Sequence, residues 1–209
     1  MIAIIDYDAG NLRSVAKAFQ TLGEECVITR NHGEIQRADK VILPGVGSFG
    51  VAMEQLKKYE LDKVIKEVAD CGKPFLGICL GLQLLFEGSE ESDGVEGLHL
   101  LDGKILRIPD KEGLKIPHIG WNSLELKNHG RLFENLPEES GKMPYVYFVH
   151  SYYLKAQDEA IVKATTEYSM QIHASVEKEN IFACQFHPEK SSAVGLQILK
   201  NFAALPVCR

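Results

Sequence analysis

The chain predicts an α/β fold: an open, mostly parallel sheet with helices on both faces, plus antiparallel strands in the C-terminal half. Two observations lead there. In the first half short apolar runs alternate with amphipathic helical patterns, and strands of that kind are buried on both faces. After about Leu98 the helical patterns thin out, and strand-like runs follow one another with turns between them. At 209 residues, 45% of them hydrophobic, the chain can build one well-buried core, and residues 1–209 read as a single domain.

Taken in order, Ile2–Ile5 is an apolar strand ending at Asp6. The stretch Met1-Ile2-Ala3-Ile4-Ile5-Asp6 lacks the basic start and small-residue cleavage site of a signal peptide and reads as a first core strand. Gly10-Asn11 leads into a helical pattern over Leu12–Leu22, and Glu25–Thr29 is a second strand followed by a polar stretch around Glu34–Arg37. Val41-Ile42-Leu43 is a third strand, stopped by Pro44-Gly45. From about Val51 to Ala69 one long amphipathic segment carries Leu56, Leu61, Val64, Ile65 and Val68 at helical spacing. Strand Phe75–Ile78 then runs into a helix beginning after Cys79. The second half offers strands at Lys104–Ile108, Ser123–Leu126, Tyr145–His150, Ile161–Thr165, Ile172–Val176 and Phe182–Phe186. A final helix, Ala193–Ala204, places Leu196, Leu199 and Phe202 on one face. The acidic, serine-rich Glu87–Asp93 reads as a solvated loop.

Composition narrows the function. A net charge of −6 without a basic stripe argues against nucleic acid as a partner. No apolar run approaches the roughly 20 residues that span a bilayer, which predicts a soluble chain. The five cysteines are scattered, with no spacing suggestive of zinc and no disulfide framework, so a reducing cytoplasm fits and no metal or cofactor is called for. Cys26 and Cys184 read as small core hydrophobes, Cys71-Gly72 as a helix end, and Cys208 as part of the terminal tail.

Cys79 stands apart. In Gly77-Ile78-Cys79-Leu80-Gly81 an apolar strand turns abruptly into a helix with a thiol at the turn, the G-x-S-x-G nucleophile elbow with sulfur for oxygen. Side chains at the flanking glycines would crowd that turn, and the positive end of the helix dipole favours a thiolate. A cysteine nucleophile needs a base, and the base an orienting group. His187, in Gln185-Phe186-His187-Pro188-Glu189, follows an apolar strand and so projects at a carboxyl edge of the sheet, where Cys79 also lies. Glu189 can accept a hydrogen bond from one imidazole nitrogen while the other faces the thiol. Pro44-Gly45-Val46-Gly47 frees backbone N–H groups toward a cleft, and the amide of Leu80 supplies a second oxyanion donor. The order Cys, His, Glu differs from the Ser, Asp, His of α/β-hydrolases.

With the elbow, the Pro44–Gly47 loop and Phe186-His187-Pro188-Glu189 assembled, the chain resembles the class I (triad) glutamine amidotransferases, a flavodoxin-like fold. Pro44-Gly45-Val46-Gly47-Ser48-Phe49, Pro117-His118-Ile119-Gly120-Trp121-Asn122, Tyr147–Tyr153 and Gln185–Ser191 resemble, within that class, the glutaminase subunits of imidazole glycerol phosphate synthases. The likeness runs from Ile4-Ile5-Asp6-Tyr7 to Lys200-Asn201-Phe202, with departures at His99 and Ser169, where glycine is expected.

The resemblance implies that Cys79 attacks the side-chain amide of glutamine, that His187 moves the proton, and that Glu189 orients the imidazole. It implies an oxyanion hole at Val46, Gly47 and Leu80, with Gln83 at the substrate amide and Ser151 and Tyr152 at its α-amino and α-carboxylate ends. It further implies a partner, a (β/α)8-barrel cyclase that receives the ammonia, and an interface including Asn11, Trp121, Asn122, Tyr147 and Lys190. Three alternatives stay open: a glutaminase subunit feeding pyridoxal phosphate or anthranilate synthesis, a cysteine hydrolase acting on peptides or γ-glutamyl conjugates, and a silent binding subunit on the same fold.

Overall fold

Four parallel pairings form the centre of the computed structural model, which describes residues 1–137 and 143–207. The first half comprises β1 (Ile2–Ile5), α1 (Leu12–Thr21), β2 (Cys26–Thr29), α2 (His32–Arg37), β3 (Lys40–Gly45), α3 (Phe49–Lys58), α4 (Leu61–Asp70), β4 (Phe75–Cys79) and α5 (Leu80–Leu84). The second comprises β5 (Gly103–Arg107), β6 (His118–Ser123), β7 (Glu125–Leu126), β8 (Tyr145–His150), β9 (Tyr152–Ala156), β10 (Val162–Tyr168), β11 (Met170–Lys178), β12 (Ile181–Cys184) and α6 (Ser192–Ala204). The main sheet runs β2-β1-β3-β4-β12-β11-β10-β7, parallel as far as β12 and antiparallel beyond it. β9 joins at β11 and carries β5, while β6 and β8 form a separate antiparallel ribbon. The predicted fold class is the observed one.

The period-2 alternation of the strands explains the two covered faces. Ala3, Ile5, Val41, Leu43 and Phe75 point to one side, where Leu56, Leu61, Val64, Ile65 and Val68 from α3 and α4 meet them. Ile2, Ile4, Ile42, Leu76 and Ile78 point to the other, against Val15 and Phe19 of α1 and Ile198, Leu199 and Phe202 of α6. No helix among the described residues is long and apolar enough to cross a membrane.

Several expected boundaries are corrected. The long segment over residues 51–69 is two helices, broken at Glu60, which takes a left-handed φ of 54°. The apolar spacing runs straight across the break, so periodicity could not register it. The polar stretch after β2 is the short helix α2, capped by Asn31, whose side chain accepts from the Glu34 N–H at 3.0 Å. Its only buried residue is Ile35, too little for a pattern. β3 does not stop at Pro44 but continues through Gly45. Its pairing with β1 ends at Ile42, so the missing proline N–H interrupts no ladder on that side.

Ser123–Leu126 is not one strand: Ser123 closes β6, and β7 follows after Leu124. The Glu87–Asp93 loop is more than solvated. Glu91 accepts from the Phe49 N–H at 2.7 Å and Ser92 Oγ from the Gly50 N–H at 3.0 Å, so this loop caps α3, whose own Ser48 makes no side-chain cap. Among the cysteines, Cys184 is fully buried, Cys26 half-buried and Cys71 exposed as the C-cap of α4, while Cys208 lies outside the described residues.

Candidate active site

The order β3-β4-β12 puts three chain-distant loops side by side at one carboxyl edge. Gly45 of β3 lies opposite Cys79 of β4, and Cys184 of β12 lies opposite Ile78. The nucleophile elbow therefore sits between the Val46-Gly47 turn and the segment leading to His187. Cys79 holds φ 55° and ψ −109°, a strained conformation for any side-chain-bearing residue, at the head of α5. The flanking glycines let this turn close. A Cβ on Gly81 would overlap the Leu43 carbonyl oxygen, and one on Gly77 would lie 2.8 Å from the Gly81 carbonyl oxygen.

Cys79, His187 and Glu189 come together. His187 is buried and lines the same cavity as the thiol, and its Nδ1 lies 2.8 Å from Glu189 Oε1. Burial alone would push the imidazole down. The hydrogen bonds to Cys79 and Glu189, with their charges, outweigh that and hold it at about 9. Ser191 fixes this segment: its Oγ donates to the His187 carbonyl at 2.6 Å and accepts the Tyr147 N–H at 3.0 Å, while the His187 N–H donates to the Tyr147 carbonyl at 2.9 Å. The second thiol at this edge, Cys184, is pushed well up by burial and by the charges of Glu189 and Cys79.

A cavity of about 290 Å³ opens at the thiol, lined by Val46, Gly47, Leu80, Gln83, Glu91, Pro117, Val149, His150, Ser151, Tyr152, His187 and Lys190. Its size suits a small metabolite, near the lower end of ligand pockets at roughly 300–1,000 Å³. A larger hollow, about 470 Å³ between Leu126 and Glu134, holds none of these groups. Every expected oxyanion and substrate residue thus lines the cavity. Gly47 takes φ +103°, a conformation only glycine adopts readily, and Tyr7 Oη anchors the loop from beneath by donating to the Pro44 carbonyl at 2.8 Å.

Of the expected interface residues, Trp121 is half exposed and packs edge-on against Tyr147 at 6.1 Å, and Lys190 is exposed at the cavity rim. Asn11 turns inward and donates to Glu189 Oε1, the oxygen that also meets His187. Asn122 also turns inward, donating to the Glu167 carbonyl at 2.9 Å.

Four groups escaped the sequence reading. Glu91 brings a carboxylate to the cavity. Gln185, fully buried, directs Nε2 at the Cys79 sulfur at 3.7 Å and accepts from Gln83 Nε2 at 3.1 Å. His150, which lines the cavity, and His118, paired with it, are both buried. A polar residue inside the apolar run Ile181–Phe186 was the available signal for Gln185; Glu91 gave none, because its loop reaches the site only through the fold.

A family model described as glutamine amidotransferase class-I matches residues 3–205. The chain is 48% identical over 202 residues to imidazole glycerol phosphate synthase subunit HisH of Listeria innocua, covering 97% of this chain and 94% of that protein. It is 51% identical over 207 residues to the subunit of the same name from Thermosynechococcus vestitus, covering 98% and 96%. A crystal structure of a glutamine amidotransferase superposes with a TM-score of 0.73 at 17% identity, over 97% of this chain and 99% of that one. The structure of PurLQS from Thermotoga maritima gives 0.72 at 22%, over 97% and 96%.

Proposed function

The chain belongs to the class I glutamine amidotransferases, and from that membership we propose that it is the glutaminase subunit of an imidazole glycerol phosphate synthase. It hydrolyses glutamine to glutamate and ammonia for histidine biosynthesis. The reading rests above all on the meeting of Cys79, His187 and Glu189 beside a cavity of metabolite size. Residues 1–209 act as one domain, in the cytoplasm, where the thiol stays reduced.

In the proposed reaction the Cys79 sulfur attacks the γ-carboxamide carbon as the thiolate beside the protonated His187. The oxyanion forms against the amides of Gly47 or Val46 and Leu80. Collapse expels ammonia, which takes its proton from His187, and leaves a γ-glutamyl thioester. Water, deprotonated by His187, attacks the thioester; glutamate leaves and the thiol is restored. Glu189 keeps the imidazole oriented throughout. Gln83 holds the amide end, and Ser151 and Tyr152 hold the α-amino and α-carboxylate end, with the Glu91 carboxylate complementing the α-ammonium group.

Ammonia passes to a (β/α)8-barrel cyclase partner, which makes imidazole glycerol phosphate and aminoimidazole carboxamide ribotide. Trp121, Tyr147 and Lys190 face this partner; Asn11 and Asn122 serve the same face from behind. The cavity's small volume disfavours a peptide hydrolase. The test is a glutaminase assay with and without the barrel cyclase and its ribotide ligand. Low activity alone and marked stimulation by both is expected; high activity alone, unchanged by either, would overturn the partner-dependent part.

A further inference from the structure

The ribbon β6–β8 has an outer face bearing Ile119, Trp121 and Tyr145 and an inner face that carries two buried histidines, neither of them in the triad. His150 Nδ1 lies 2.8 Å from the Tyr152 carbonyl oxygen, and its Nε2 lies 3.0 Å from His118 Nδ1. His118 Nε2 lies 3.4 Å from Asn122 Nδ2. The same Tyr152 carbonyl accepts from Gln83 Nε2 at 3.1 Å. A continuous run of hydrogen bonds therefore joins Asn122 to the wall of the cavity.

The chemistry of its ends gives the run one direction. A carbonyl oxygen only accepts, so His150 Nδ1 carries the proton and, in the neutral ring, Nε2 is a bare acceptor. His118 Nδ1 must then donate, which leaves its Nε2 to accept from Asn122. The Asn122 amide cannot be reversed, because its Oδ1 accepts the Ser123 N–H at 2.8 Å. Both rings sit where charge is penalised: burial drives His118 down to about 4 and His150 to about 3. His118 is further held between the rings of Phe148 and Tyr168, at 4.7 and 3.9 Å.

We propose that His118 is a positioning residue for glutamine binding, locked as the Nδ1–H tautomer so that it fixes His150 and, through it, the Tyr152 carbonyl on which Gln83 rests. This builds on the reading of the cavity as a glutamine site. A proton on either ring would set N–H against N–H and break the run, so neutrality is part of the device. Neither ring touches the reacting atoms; both act through Tyr152 and Gln83.

Two measurements decide it. Long-range ¹H–¹⁵N correlation spectra of the full chain near neutral pH are expected to show both rings as the Nδ1–H tautomer, against the Nε2–H form that free imidazole side chains favour. An Nε2–H or averaging pattern at either ring would overturn the proposal. In glutaminase assays with the barrel cyclase, His118→Leu is expected to raise KM for glutamine about tenfold with kcat changed less than threefold, and His118→Asn, which keeps a donor near the Nδ1 position, to recover most of it. An unchanged KM in a folded His118→Leu protein, or no rescue by asparagine, counts against it. Should the leucine variant fail to fold, the wild-type spectra still decide. A wild-type protein inert toward glutamine with both rings in the Nδ1–H form would sink the glutaminase reading and leave the hydrogen-bond run standing.

Discussion

Cys79 combines two features that a core cysteine does not need: a strained φ of 55° and a basic imidazole lining the same cavity. Replacing sulfur by oxygen keeps the elbow's shape while removing the more acidic nucleophile. Cys79→Ser is therefore expected to abolish glutamine hydrolysis with the melting temperature unchanged within a few degrees; residual activity above a hundredth of wild type would sink the thiol mechanism. A glutamine-derived electrophile should modify Cys79 alone among the described thiols at the active edge, because Cys184 is fully buried and its thiol is pushed up. The elbow was legible because all its requirements lie within five consecutive residues. Its supports were not: Gln83 meets Gln185 across 102 positions of sequence, and His118 meets His150 across 32. No local pattern carries such pairings.

At the scale of elements the site is held by close approach and by capping. The Leu43 carbonyl occupies the space a Gly81 side chain would need, and that carbonyl belongs to a central strand that cannot shift. Gly81→Ala is expected to cost about 3 kcal/mol, the upper end of the usual range for overpacking a filled core, in urea unfolding; a loss below about 1 kcal/mol would mean that the elbow is more yielding than its packing implies. Ser92→Ala removes one of the two remote caps on α3, leaving that of Glu91, and should cost about 1 kcal/mol in the same urea unfolding. Helices and strands with strong periodicity were legible: α1, β4 and α6 fall within a residue or two of their expected bounds. What periodicity cannot show is a break that keeps the apolar spacing, as at Glu60, or strands that change sheets. β8 and β9 are separated only by Ser151, yet β8 pairs with β6 and β9 with β5 and β11.

For the whole molecule, the parallel half builds the triad edge and the ribbon β6–β8 presents an apolar outer face. Ile119 is 59% exposed and Trp121 50% exposed there. On the proposed partner reading, Trp121→Ala should weaken cyclase binding by more than tenfold, as loss of an aromatic anchor does, without lowering the melting temperature; binding unchanged in a titration would remove Trp121 from the interface. The histidines also set opposite limits on stability as pH changes. His187 keeps its proton in the folded chain up to about 9, against 6.5 for an ordinary histidine. Between those values the folded state holds a proton that the unfolded state has released, so stability falls as pH rises through that window. His118 and His150, held down to about 4 and about 3, stay neutral while the unfolded chain takes up protons, so their contribution is complete above 6.5 and lost as pH falls below it. The two limbs meet near 6.5. Urea midpoints across pH 5 to 9 should therefore peak between about pH 6 and 7. His187→Gln should flatten the alkaline limb and His118→Asn should shallow the acid limb, each leaving the other in place. An alkaline limb of full slope in His187→Gln would show that the triad imidazole does not carry the extra proton on which the proposed proton transfer to ammonia depends.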